Sequence, residues 1–92
     1  LANTPEGKLT KKVKTFLDKQ PIFYWKVSDK YTSGIPDIVG CKGGKFFAIE
    51  LKAPGEKPRK LQTMIIRRIK NSGGDVLATD NYDAVTEFIE AL

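Results

Sequence analysis

The sequence predicts an α+β (α/β) domain: a mixed four-stranded sheet flanked by helices, with elements in the order αβββαβα. Three observations predict it. Gly43-Gly44 stands between two apolar runs, the mark of a tight hairpin. Three stretches repeat apolar residues at helical spacing. A short β-branched run, Asp75 to Thr79, separates the last two of those stretches, so one further strand joins the sheet after a helical crossover.

The elements follow in chain order. Thr4-Pro5 reads as an N-cap with proline at the first helical position, and Leu9, Val13, Phe16 and Leu17 then form a helical stripe as far as about Lys19. Pro21 stops that helix. Ile22 to Val27 is aromatic and β-branched, a strand. Asp29 to Pro36 is a polar loop, and Asp37 to Cys41 with Lys45 to Lys52 makes the hairpin. Ala53 to Pro58, with two prolines and a glycine, is a loop. Leu61 to Lys70 is a second helix, closed by Asn71-Ser72-Gly73-Gly74. Asp80 is expected to cap the last helix, with Asp83 as its capping-box acid and Val85, Phe88, Ile89 and Leu92 as its stripe. Both faces of the hairpin carry apolar residues: Val39, Phe46 and Ala48 on one, Ile38, Phe47, Ile49 and Leu51 on the other. Helices are therefore expected on both sides of the sheet. No repeat or second domain is visible, so residues 1–92 read as a single domain.

The hairpin carries the chemistry. With Gly43 and Gly44 as the turn, Lys42 pairs with Lys45, Val39 with Ala48 and Asp37 with Glu50. The two acids then share a face with Cβ atoms about 5 Å apart. Like charges directly opposite are destabilising unless a cation lies between them. Side chains alternate along a strand, so Lys52 stands on the same face as Glu50. Two hard oxygen ligands suit Mg²⁺ or Mn²⁺, and a neighbouring ammonium can orient or deprotonate a water and offset charge on a phosphorane. Those parts suffice for metal-assisted phosphodiester hydrolysis.

Two polar residues lie on apolar stripes. Gln62 falls within the arc of Leu61, Ile65, Ile66 and Ile69, and from there an amide can reach a water, a carboxylate or a phosphate at the metal site. Glu6 lies one turn before Leu9. Each residue has a plainer use: Gln62 bonding backbone at the core edge, Glu6 complementing a helix N-terminus, Asp37 in turn chemistry after Pro36, Glu50 and Lys52 on a solvated strand edge. Their conjunction in one register is what points to a metal site.

Composition narrows the function. There is no histidine, which excludes His–metal sites, Ser–His triads and His-based nucleases, and with one cysteine it argues against zinc. Cys41, alone, cannot form an internal disulfide, which fits a reducing, cytoplasmic setting; a thiol in an apolar strand is expected in the core. No signal peptide is visible and no apolar run is long enough to span a membrane. The net charge of +5 is polarised. All sixteen basic residues lie within positions 1–70, while positions 71–92 hold five acids and no base. A basic body with one acidic end suits an oriented polyanion, although an ordinary solvated surface would carry the same charges.

The residues now on the page resemble the PD-(D/E)XK nuclease superfamily, and within it the VRR-NUC (virus-type replication–repair nuclease) branch, over nearly the whole chain. Gly34-Ile35-Pro36-Asp37 is similar to the branch's Gly-x-Pro-Asp, Glu50-Leu51-Lys52 to its Glu-x-Lys, Gln62 to its helical glutamine, and Glu6 to the acid that members carry in the first helix. The resemblance implies a restriction-endonuclease-like core. It implies that Asp37, Glu50 and the Leu51 carbonyl bind Mg²⁺ or Mn²⁺, perhaps joined by Glu6, that Lys52 positions or activates water, and that Gln62 supports the site. It also implies the stand-alone form, a homodimer similar to Holliday junction resolvases that cuts branched or junction DNA.

The leading expectation is thus a metal-dependent, structure-selective DNA endonuclease. Lys42, Lys45, Lys57, Arg59 and Lys60 are expected to hold backbone phosphates. Met64, Tyr24 and Trp25 are the dimer-interface candidates. Two other expectations stand beside it: a catalytically silent nucleic-acid-binding module of the same fold, and a restriction-type enzyme reading duplex DNA.

Overall fold

Local chemistry sets each boundary in the computed structural model, which describes residues 3–27 and 34–92. The polar loop expected from Asp29 lies outside the described residues as far as position 33. Helix α1 runs Pro5–Asp18: the Thr4 hydroxyl accepts the Gly7 N–H at 3.0 Å, Pro5 starts the first turn, and Val13 and Leu17 are its buried stripe. Strand β1 is Phe23–Lys26, β2 Ile38–Lys42 and β3 Lys45–Leu51. Gly43 and Gly44 adopt φ of +56° and +83°, the pair of positive values that a two-residue primed turn demands.

The register is the expected one. Lys42 pairs with Lys45, Val39 with Ala48 and Ile38 with Ile49, and one further step sets Asp37 opposite Glu50. Helix α2 is Lys60–Asn71; it ends at Ser72, where the Gly74 N–H returns to the Ile69 carbonyl at 3.0 Å. Strand β4, Asp75–Thr79, lies parallel to β3, and helix α3 is Tyr82–Ala91. The last helix departs from expectation at its start. Its N-cap is Asn81, whose side chain accepts the Ala84 N–H at 2.9 Å. Asp80 instead accepts the Gly55 N–H at 2.9 Å and ties the loop after β3 to the end of β4.

The sheet order is β1-β2-β3-β4, antiparallel through the hairpin and parallel at β3–β4. One face is the core. Val13 and Leu17 from α1 meet Ile38, Phe47, Ile49 and Leu51 from the sheet and Val85 and Ile89 from α3. The Phe47 ring meets Phe88 edge-on at 6.4 Å. Gly40 lets that ring approach: an added Cβ would lie 2.5 Å from Phe47 Cζ and from the Phe23 carbonyl oxygen. Tyr24 belongs to this side, and its hydroxyl donates to the Asp18 carboxylate of α1. That bond comes first, then burial and the Asp18 charge, in pushing the tyrosine up to about 12.

The opposite face is covered less completely. Only α2 lies on it, and Ile65, Ile66 and Ile69 are half-buried there with none fully enclosed. Cys41, expected in the core, is exposed. Strand alternation puts Ile38 and Gly40 into the core and turns Cys41 to the face that α2 leaves open, in one cross-strand row with Phe23 and Phe46. No helix among the described residues is long and apolar enough to cross a membrane.

Candidate active site

The hairpin register delivers the two acids, and backbone bonds then lock them. The Asp37 N–H donates to Glu50 Oε1 at 3.2 Å, and the Leu51 N–H donates to Asp37 Oδ2 at 2.8 Å. Each carboxylate is therefore fixed by the opposing chain segment. Ladder continuation places the lysine, because the Lys52 N–H reaches the Thr79 carbonyl at 2.9 Å. The side-chain face that Glu50 shares with Lys52 looks toward the N-terminal turn of α2.

There Gln62 closes the arrangement. Its Nε2 donates to Glu50 Oε2 at 2.7 Å, and its Oε1 accepts Lys52 Nζ and the Arg59 N–H, both at 2.8 Å. Lys52 Nζ lies 3.0 Å from the same Glu50 oxygen. Glutamine suits this position because one amide both donates to a carboxylate and accepts from an ammonium. The Arg59 bond is the helix-capping one, so the start of α2 and the site share a single side chain.

Glu50 is buried, only 4% exposed. Burial chiefly pushes its carboxyl pKa up, the Asp37 charge adds to the rise, and Lys52 together with the Asp37 N–H opposes it. A buried carboxylate held charged in this way is poised to accept a cation.

A cavity of about 350 Å³ opens over the group, lined by Glu6, Asp37, Glu50, Leu51, Lys52, Glu56, Lys57, Arg59 and Gln62. It thus brings together Asp37, Glu50, Leu51, Lys52 and Gln62, with Lys57 and Arg59 on the wall. Glu6 lines it from the first turn of α1, exposed. Among the described residues no three acidic, histidine or cysteine side chains converge as a metal cluster. Glu56 also lines the cavity, its Oε1 accepting the Ala53 N–H at 3.3 Å. Strand register gives no sign of it, since it sits in an irregular Pro-Gly loop.

Lys42 and Lys45 are elsewhere. The hairpin tip is five residues along the strand from Asp37, roughly 17 Å at about 3.4 Å per residue. Lys42 Nζ donates to the Ile89 carbonyl at 2.7 Å, near the C-terminal end of α3, where a cation offsets the helix dipole. Larger depressions of about 680 and 640 Å³ lie away from the acids. The chemistry of the lining, not its volume, marks the site.

An acid–acid–lysine group on a hairpin, backed by a helical glutamine and a parallel fourth strand, defines a nuclease-type site of the PD-(D/E)XK kind. A solved structure described as a VRR_NUC domain matches the chain with a TM-score of 0.80 and 26% identity, covering 95% of this chain and 96% of that one. The chain is of the VRR-NUC type, and its class is that of a nuclease. No family model matches the sequence, and no curated protein matches it.

Proposed function

We propose that residues 1–92 form one nuclease domain that cuts branched DNA, such as four-way junctions, as a divalent-metal-dependent endonuclease acting as a homodimer in the cytoplasm. The observation that carries this is Glu50: a buried carboxylate held opposite Asp37 and bonded at one oxygen by both Lys52 and Gln62.

The donor set fits Mg²⁺ or Mn²⁺. These hard cations are bound by one or two carboxylates and complete their shell with water and substrate phosphate, so no third acid is required. Among the described residues Asp37 Oδ1 accepts no hydrogen bond, which leaves it available as a ligand. Asp37, Glu50 and the Leu51 carbonyl would hold the ion, with Glu6 at the cavity rim able to bind one of its waters. Bound there, the ion supplies Lewis-acid polarisation of a phosphate oxygen and lowers the pKa of the attacking water.

The chain's own groups do the rest. Lys52 has three N–H donors; Glu50 and Gln62 engage two and leave one for a water or a phosphate oxygen. Gln62 keeps the ammonium from collapsing onto Glu50 alone. The water oxygen bonds to phosphorus and the bond to the 3′ oxygen breaks, giving a 5′-phosphate and a 3′-hydroxyl, while the water's proton passes to solvent. Lys57 and Arg59 on the cavity wall and Lys60 beside it bind backbone phosphates, which positions DNA without reading bases.

The test is incubation with Mg²⁺ and labelled linear duplex, flap and four-way junction DNA, with cut positions mapped. Cutting confined to branched substrates, and lost with chelator, is expected. Binding without cutting of any substrate would reject the proposal in favour of a silent DNA-binding module, and cutting of linear duplex at one short sequence would favour a restriction-type enzyme.

A further inference from the structure

All five large apolar side chains left exposed among the described residues belong to one side of the molecule: Phe23 (66% exposed), Trp25 (64%), Met64 (51%), Leu61 (46%) and Phe46 (44%). Sheet register places three of them. Phe23, Cys41 and Phe46 form one cross-strand row, and Trp25, Val39 and Ala48 form the next on the same face. Helix α2 covers the β3–β4 half of this face and leaves the β1–β2 half bare. Leu61, Met64 and Arg68 recur at three- and four-residue steps along one side of α2. Arg68 lines the groove of about 680 Å³ that runs between α2 and the hairpin over Val39 and Phe46, so that side of the helix borders the bare half.

The geometry points to a second copy of this chain docked on the bare β1–β2 face, with Phe23, Trp25 and Phe46 at the centre of the contact and Leu61 and Met64 at its α2 border. Soluble monomers rarely leave so large a contiguous apolar patch. The five side chains present on the order of 500 Å² between them, against about 300–600 Å² for the largest patch on a typical monomer. Adding the groove brings the surface toward the roughly 800 Å² that each partner gives to a stable interface. The composition is that of an interface core, aromatics and methionine in the middle with Lys45 and Arg68 at the rim.

A like partner fits for two further reasons. β1 is the edge strand of the sheet, so the patch reaches a free margin across which an identical patch can lie about a two-fold axis. Asp37 and Glu50 also project from this same sheet face. A two-fold contact here brings two catalytic cavities to the border of one assembly, the arrangement that paired cuts across a junction need. Single-stranded nucleic acid could stack on the aromatics. It would leave Leu61, Met64 and the apolar groove uncovered, and so it is the less favoured occupant.

The inference deepens the homodimer part of the proposed function and is independent of catalysis. Cys41 and Trp25, the chain's only cysteine and tryptophan, both lie in the patch and report on it directly. The experiment is sedimentation velocity across a range of concentrations, with the alkylation rate of Cys41 measured on the same samples, for the wild-type chain and for Trp25→Glu and Phe23→Ser. Both altered residues are exposed, so far-UV circular dichroism should be unchanged.

The wild type should sediment as a dimer at micromolar concentration. Its Cys41 should become slower to alkylate as the dimer forms, and both variants should lose the dimer and keep fast alkylation at every concentration. A wild type that stays monomeric overturns the inference, as does a dimer that both variants retain with Cys41 reactivity unchanged. Protection of Cys41 only on adding a single-stranded oligonucleotide overturns it in favour of the nucleic-acid occupant. Lys52→Ala, which lies outside the patch, should remain dimeric. A dimer that cuts no DNA would leave this surface standing while the nuclease proposal fell.

Discussion

Replacing Gln62 with leucine tests the construction of the site most sharply, because one amide bonds a carboxylate, an ammonium and a helix-capping N–H at once. Leucine keeps the volume close and removes only the polar atoms. The lost bonds are two to charged groups, worth about 1.5–3 kcal/mol each, and one to a backbone N–H, worth about 0.5–1.5 kcal/mol. The ion pair between Lys52 and Glu50 at 3.0 Å survives and water enters the open cavity, which offsets part of the loss. A net destabilisation of about 3 kcal/mol remains. That is a large share of the roughly 5–14 kcal/mol expected for a domain of this length. At about 4–8 °C per kcal/mol, Tm should fall by roughly 10–20 °C. Thermal and urea denaturation of the metal-free protein measure it, with the urea m-value unchanged. A Tm within a couple of degrees of wild type would show that the three bonds do not hold the site, and would refute the reasoning.

Other outcomes follow from the same geometry. Glu50 has a native pKa raised above its ordinary 4.5, so the native state holds its proton longer than the unfolded chain; metal-free stability should be full below that value and decline as pH rises through the raised one. Glu50→Gln should flatten that decline in a pH series of denaturation curves, and an unaltered slope would assign it to another group. Gly40→Ala should destabilise by about 1–3 kcal/mol or more, since its Cβ would meet the Phe47 ring and the Phe23 carbonyl at 2.5 Å; a neutral effect in urea denaturation would contradict that packing. Lys57→Ala and Arg59→Ala should each lower the salt slope of DNA binding by about one unit, whereas Lys42→Ala should leave it unchanged because Lys42 bonds the Ile89 carbonyl. Fluorescence anisotropy over a salt series distinguishes these cases.

Much of the fold was legible because short-range rules decided it. The Gly43-Gly44 turn fixes a register, and a register fixes every pairing out to Asp37 and Glu50. Thr4-Pro5 and the Asn71–Gly74 run mark helix ends by chemistry that needs no tertiary partner. What escaped depended on contacts across the fold. Asp80 and Asn81 are both good caps, and the choice between them is made by the Gly55 N–H, which captures Asp80 from a loop 25 residues away in sequence. Cys41 reads as core from its apolar strand, but whether a helix reaches it is a matter of how far α2 extends over the sheet. Lys42 is one cation among many in the sequence, and only the packing of α3 against the hairpin commits it to a helix terminus. The entry of Glu56 into the cavity depends on the path of an irregular loop. Gln62, by contrast, was detectable as a polar residue on an apolar stripe, and its three bonds explain why it stands there.

The central claim is that Asp37, Glu50 and Lys52 together hydrolyse phosphodiester bonds. The most direct measurement sets the wild-type chain beside Lys52→Ala on an end-labelled four-way junction with Mg²⁺, scoring binding and cleavage in the same samples. Cleavage to 5′-phosphate ends by the wild type, with binding kept and cleavage abolished in the variant, is the predicted result. Cleavage by Lys52→Ala at the wild-type rate, or none by the wild type while it binds the junction, would contradict the claim.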